Sequence, residues 1–170
     1  MDVLINRVAE SGLLTIDLGR YYPDKEMVIL DIKDFLFHGL ILKEKEFRDS
    51  LKNVDWTQYH DKIVLIQNSA DAIVPLWSFM LISKYLSDEA NAIFIGTKEA
   101  YLVHHFMKVV ENLDVDAYKD KRVVIKGCAD VEIPAQAYID IVNHLKPHVQ
   151  SLMFGEPCST VPIFKRPRNI

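Results

Sequence analysis

The chain is poor in cysteine, in glycine and in surplus positive charge, and each shortage removes a class of function. Two cysteines among 170 residues do not make a disulfide scaffold, and a chain of this length can bury a sufficient core without one. With six glycines there is no P-loop, no dinucleotide-binding glycine signature and no Gly-x-Ser-x-Gly elbow. A net charge of −4 lacks the broad basic footprint that nucleic-acid binding requires. The basic cluster Lys165, Arg166 and Arg168 is terminal and reads as a solvated tail. No apolar run approaches the roughly 18 residues of a membrane span, and charges at Asp2, Arg7 and Glu10 do not suit a secretory leader. The expectation is a cytoplasmic protein with reduced thiols and no membrane or nucleic-acid partner. Hydrophobic residues make up 49%, enough to leave apolar surface for a second subunit, so a homodimer is expected.

What is present is repetition. KNVDWTQYHDKIVLIQNSADAIVP, from residue 52, aligns without a gap on ENLDVDAYKDKRVVIKGCADVEIP, from residue 111. Asp55/Asp114, Tyr59/Tyr118, Asp61/Asp120, Ala70/Ala129, Asp71/Asp130 and Pro75/Pro134 are among the matched positions. Self-similarity at a fixed spacing points to one supersecondary unit used twice. The alignment extends upstream through Phe47/Phe106.

The periodicities suit an α/β fold. KIVLIQ (62–67), KRVVIK (121–126) and AIFIG (92–96) are short and β-branched, as strands buried on both faces are. Residues 43–55, 76–86, 98–111 and 135–149 carry apolar positions at helical spacing. Strands alternating with helices predict a mainly parallel sheet with flanking helices in a single domain over 1–170. Its expected parts are repeat one at about 33–90, repeat two at about 91–149, an N-terminal αβ segment, and an extended tail at 150–170. In this reading each repeat opens on a strand, at 36–42 and at 92–96. The N-terminal segment reads as a helix at 2–10 followed by strands at 13–18 and 27–31 on an antiparallel edge. Pro157, Pro162 and Pro167 argue against a regular element in the tail, although VPIF suits an edge strand.

Ligands in open parallel sheets bind beyond the carboxyl ends of the strands. If the three strands are neighbours, Asp71, Lys98, Glu99, Cys128 and Asp130 share that edge. Asp71 and Asp130 offer convergent carboxylates for acid and base work or for a metal, with Lys98 or Cys128 assisting. The competing reading is that both aspartates tie down local backbone, which a repeated turn would copy. Cys128 departs from its counterpart Ser69 and follows Gly127 at a strand end, a setting that favours a thiolate. Cys158 lies in the turn-rich tail between Glu156 and Ser159. The two cysteines match no zinc spacing, and each also suits a small buried apolar site. His144 and His148 have the i, i+4 spacing of a metal pair, but Pro147 ends the helix between them, and surface positions are expected. Trp56 and Trp77 read as core or interface anchors.

SADAIVPLWSFMLI, VVIKGCAD and above all GEPCSTVPIFKR resemble the marker segments of a family of small bacterial proteins classed as a domain of unknown function. The likeness runs from LLTIDL to the tail. It implies an accessory role beside sulfur mobilisation and iron–sulfur cluster assembly, with no activity to carry over. On this reading Cys128 and Cys158, with Ser69, Glu156 and Ser159 nearby in the motifs, bind a metal or cluster or carry sulfur, and a protein partner in cluster assembly is implied. The alternatives are a small enzyme using Asp71 and Asp130, and a purely structural dimeric module that binds a partner.

Overall fold

The computed structural model describes residues 12–127 and 130–167. The fold is mixed α/β with mainly parallel sheets and flanking helices. Its elements are β1 (Leu13–Asp17), β2 (Met27–Asp31), α1 (Glu44–Lys52), β3 (Ile63–Gln67), α2 (Leu76–Leu86), β4 (Ala92–Ile95), α3 (Lys98–Glu111), β5 (Arg122–Lys126), α4 (Ala135–Leu145), β6 (Ser151–Glu156) and β7 (Ser159–Lys165). The chain divides into two compact units, Asp24–Tyr101 and Met1–Pro23 with Leu102–Ile170. The division falls within α3.

The Asp24–Tyr101 unit holds a three-stranded sheet, order β2-β3-β4, parallel throughout. Its strand β3 is buried along Ile63, Val64, Leu65 and Ile66, which is why it reads as one apolar run. The helix α1 forms because Phe47 and Leu51, one turn apart, are both buried, while Arg48 donates to Glu44 at 2.9 Å on the wet side. Glu44 and Glu46 in its first turn and Lys52 in its last complement the helix dipole. Trp56 donates its indole N–H to the Leu51 carbonyl at 2.9 Å and stacks on Tyr85 with ring centroids 5.1 Å apart. Trp77 meets Phe47 edge-on. Both tryptophans are thus packing anchors.

The second unit holds a four-stranded sheet, order β1-β5-β6-β7, in which the first three strands are parallel and β7 returns antiparallel. One face packs Ile16, Val123, Ile125 and Leu152 against Phe106 and Val110 of α3 and Ala137, Ile141 and Leu145 of α4.

The aligned stretches fold into the same succession of elements. Asp55 and Asp114 each cap a short 3-10 turn by accepting from the N–H two residues on, both at 3.1 Å. Asp61 and Asp120 take the left-handed conformation at φ 55° and 56°, which Asp tolerates better than most residues. Their N–H groups donate to Glu89 and His148 carbonyls, each at 2.9 Å. Pro75 and Pro134 stand at the N-caps with extended backbone, one residue before the helices begin.

Several expectations are corrected. Residues 36–42 form no strand: Phe37 and Ile41 make a single bridge around His38 and Gly39, both at positive φ. The strand at 92–95 pairs with β3, so it closes the first sheet and does not open a second repeat. The strands β1 and β2 are parallel members of different sheets and form no antiparallel edge. The tail is regular: β6 adds to β5 and β7 folds back on it. Pro162 sits on that outer strand, where a missing N–H costs no ladder bond. His144 is half-buried and its Nε2 atom is buried with no hydrogen-bond partner. The helix expected at 2–10 lies outside the described residues.

Candidate functional site

In the four-stranded sheet the parallel strands β1, β5 and β6 end together at Asp17, Lys126 and Glu156. Asp17 and Lys126 are register partners. Lys126 Nζ lies 3.5 Å from Asp17 Oδ2 and 3.5 Å from Glu156 Oε1. Arg20 Nε approaches the same Asp17 oxygen at 3.8 Å. The other Asp17 oxygen accepts the Gly19 N–H at 3.1 Å, so the carboxylate is oriented by the 3-10 turn that follows its own strand. These four charged side chains, with Thr15, Tyr21 and Pro157, line a cleft of about 410 Å³. Asp17 and Lys126 form its sheltered floor, at 20% and 30% exposure, and Arg20 and Glu156 its rim, at 84% and 57%. Rim pairs of this kind are worth at most about 1 kcal/mol, so an incoming charged group displaces them at small cost.

Next to the cleft, Gly127 is packed closely under Tyr138. A Cβ there would sit 2.1 Å from the Tyr138 hydroxyl. Burial, and then the negative charge of Asp17, push the Tyr138 phenol above its ordinary range, which keeps it protonated.

The three-stranded sheet has the same edge, differently furnished. Asp31 ends β2 as Asp17 ends β1, but its Oδ1 accepts from both Lys33 N–H at 3.0 Å and Ser69 N–H at 3.1 Å. Burial pushes the Asp31 carboxyl upward, but hydrogen bonds from the Ser69 side chain and from the Lys33 and Ser69 backbones outweigh it and leave the group below the usual carboxylate range. Gln67, the register partner of Asp31, donates to the Gly96 carbonyl at 3.2 Å. That edge is closed by its own hydrogen bonds. The charged triplet is peculiar to the four-stranded sheet.

Three further hollows in the same unit compete with it. One of about 570 Å³ runs beside Tyr21, His105 and Tyr118, with His105 Nε2 2.7 Å from the Tyr21 carbonyl oxygen. A second, about 490 Å³, lies between Arg122, Ser151, Met153 and Lys165, and a third, about 350 Å³, is apolar, between Tyr138, Val142, Phe154 and Ile163. None of the three combines the carboxyl ends of parallel strands with charges of both signs, so the Asp17–Lys126–Glu156 cleft is the stronger candidate.

The residues singled out from the sequence are distributed between the two sheets. The condition that the three strands be neighbours holds for β3 and β4 but not for β5, which belongs to the other sheet. Asp71, Lys98 and Glu99 therefore follow strands of one sheet, and Asp130 a strand of the other; all four are exposed. The loop after β3 is tied by Asn68, which donates to the Ala72 carbonyl at 2.9 Å and accepts from the Ala70 N–H at 3.2 Å. Ser69 is held against Asp31. Its own backbone N–H and then the Thr97 hydroxyl hold the Glu99 carboxyl below its ordinary range. Cys128 lies outside the described residues. Cys158 is a free, exposed thiol in the two-residue turn between Glu156 and Ser159. Its neighbours Glu156 and Pro157 line the cleft. Among the described residues no group of three or more His, Cys, Asp or Glu side chains is placed to hold a metal ion.

Sequence reasoning named Glu156 but missed Asp17, Arg20 and Lys126. A signal existed: LLTIDLGRY and MVILDIKDF each run from a strand into Asp, and Lys126 replaces the neutral Gln67 at the aligned position.

No curated protein and no solved structure matches the chain. Residues 2–166 match the model of a family described as protein of unknown function (DUF2480), and the chain belongs to that family.

Proposed function

We propose that this is an accessory protein that presents a thiol to a partner in sulfur or iron–sulfur handling, with the strand edge around Lys126 as its working site. The observation that carries the reading is the placement of Cys158. Its free thiol is exposed in a tight turn, directly after two residues that line the charged cleft, so it is accessible to another protein without unfolding. Exchange chemistry at sulfur requires that access. The thiolate would take the terminal sulfur of a donor persulfide and release the donor thiol, and Cys128 is the second thiol of the chain to test for the same role. One chain supplies two cysteines where an iron–sulfur cluster takes about four thiolates, and the described residues form no ligand set of their own. A resident cluster within one chain does not fit; a homodimer or a partner would have to complete it. A cytoplasmic setting, which keeps thiols reduced, belongs to the same proposal.

The test is metal and sulfur content of the full chain purified without oxygen, then incubated with a persulfide donor. Sulfane sulfur bound to the wild type and lost in Cys158→Ser supports the proposal. Equal content in wild type, Cys158→Ser and Cys128→Ser would remove it. Stoichiometric iron and acid-labile sulfide that vary with chain association would replace transient transfer by a shared cluster.

A further inference from the structure

We infer that the N-terminal edge of the four-stranded sheet carries a second binding site, one for a small organic dianion with an apolar body, of which a phosphate monoester is the simplest kind. The site stands apart from the thiol reading and uses none of the residues of the Asp17–Lys126–Glu156 cleft.

The site begins with a row of register partners. Arg122 of β5, Ser151 of β6 and Lys165 of β7 lie side by side across three neighbouring strands, so their side chains leave the same face of the sheet. Strands lie about 4.8 Å apart, which roots the two cations roughly 10 Å from each other, and both line one hollow of about 490 Å³, within the ordinary range of small-molecule pockets. A β-bulge shapes it. Lys165 and Pro162 are three residues apart and would point to opposite faces of a regular strand, but the register skips Ile163, and the extra residue brings both to the same hollow.

The charge of this hollow selects an anion. No acidic side chain lines it, and among the described residues neither Arg122 nor Lys165 is in an ion pair. The acid nearest in sequence, Asp120, is held by Arg166 at 2.6 Å, and Arg166 also donates to the Pro147 carbonyl at 2.9 Å. The basic cluster expected as a solvated tail is thus divided: Arg166 is spent on the fold, and Lys165 faces the hollow. Arg122 and Lys165 leave two positive charges uncompensated, which a dianion matches and a neutral or cationic ligand does not. A carboxylate at position 151 would satisfy both from within the chain. Ser151 instead is small, is buried at 9% exposure, and brings a hydroxyl able to donate to an anion's oxygen. Met153, Pro162 and Phe164 complete the lining with apolar surface, so the ligand that fills the hollow carries an apolar body behind its charged head. The scaffold does not demand this arrangement. In the three-stranded sheet the corresponding row is Met27, Ile63 and Ala92, apolar throughout, and Ile63 stands at the position aligned with Arg122.

The experiment is an NMR titration of the full chain with phenyl phosphate, inorganic phosphate and benzoate at about pH 8, well above the second ionisation of a phosphate monoester at about 6. Expected are saturable shifts at the amides of Arg122, Ser151, Met153 and Lys165 with phenyl phosphate and unmoved amides at Asp17 and Lys126. Affinity should be about tenfold lower for inorganic phosphate, which lacks the apolar body, and for benzoate, which has a single charge. Arg122→Gln and Lys165→Gln should each weaken phenyl phosphate about tenfold, while Lys45→Gln in the other unit removes the same charge and leaves the affinity unchanged. All three side chains are exposed, and a melting curve of each variant reports its fold. Absence of saturation up to about 50 mM would overturn the inference. An equal loss in Lys45→Gln would do the same, because it would mean attraction by overall charge. Benzoate binding as tightly as phenyl phosphate would overturn the dianion, and inorganic phosphate doing so would overturn the apolar body.

Discussion

At the scale of single residues, the two aligned stretches act as controls for each other. Gly127 faces the Tyr138 hydroxyl, which would lie 2.1 Å from any added Cβ. The aligned pair is Asn68 and Phe79: where the ring has no hydroxyl, the loop carries a full side chain. Gly127→Ala should therefore lower stability by about 1–3 kcal/mol through overpacking, and Tyr138→Phe should recover most of the loss. Chemical denaturation of the two single variants and the double variant measures that coupling. Asp31 makes a second prediction. Its pKa is held down in the folded chain, so the folded form binds fewer protons than the unfolded one in the carboxylate range. The resulting stability is fully present above the unfolded value of about 3.9 and is lost as pH falls through the folded one. Asp31→Asn should flatten the fall in unfolding midpoint between about pH 5 and pH 3 relative to the wild type.

At the scale of elements, the β6–β7 hairpin shows how local signals mislead. Three prolines in the tail argue against regular structure, but Pro162 falls on an outer strand and Pro157 in the turn, the two places where a missing N–H is tolerated. Gly155 makes the return possible: it sits at φ 120°, and a Cβ there would approach the Ser159 carbonyl oxygen to 2.6 Å. Gly155→Ala should cost about 1–3 kcal/mol and raise amide exchange rates in β6 and β7 before those in β1. The segment 36–42 misleads in the opposite sense. LFHGLIL has a strand's composition, but Gly39 and His38 adopt positive φ and turn the chain on itself. Leu36 is buried there, but Phe37, Leu40 and Ile41 are exposed, so apolar content in this segment marks neither extension nor burial.

At the scale of the molecule, each unit has its own hydrophobic cluster, and the clusters around Phe47 and Phe106 share no residue. Both rings are fully buried and occupy aligned positions. Phe47→Leu and Phe106→Leu should each cost about 1–2 kcal/mol, and the double variant should lose the sum of the two within about 0.5 kcal/mol. A large departure from additivity in equilibrium unfolding would mean that the two cores communicate.

The sequence by itself determined the elements whose causes are local. Buried strands such as Ile63–Gln67 and Arg122–Lys126 announce themselves by β-branched runs, α1 and α4 by residues one turn apart, and the 3-10 turns by the aspartates that cap them. The shared spacing of Asp55, Tyr59 and Asp61 with Asp114, Tyr118 and Asp120 records the same turn chemistry used twice. Tertiary structure alone decided which strands became neighbours, because pairing depends on burying whole faces and leaves little trace in any one segment. It put β5 beside β1 across a hundred residues of chain and gave β3 to the other sheet. That choice separated Asp130 from the strands that carry Asp71 and Lys98, and it assembled Asp17, Lys126 and Glu156, three residues distant in sequence, into one charged edge.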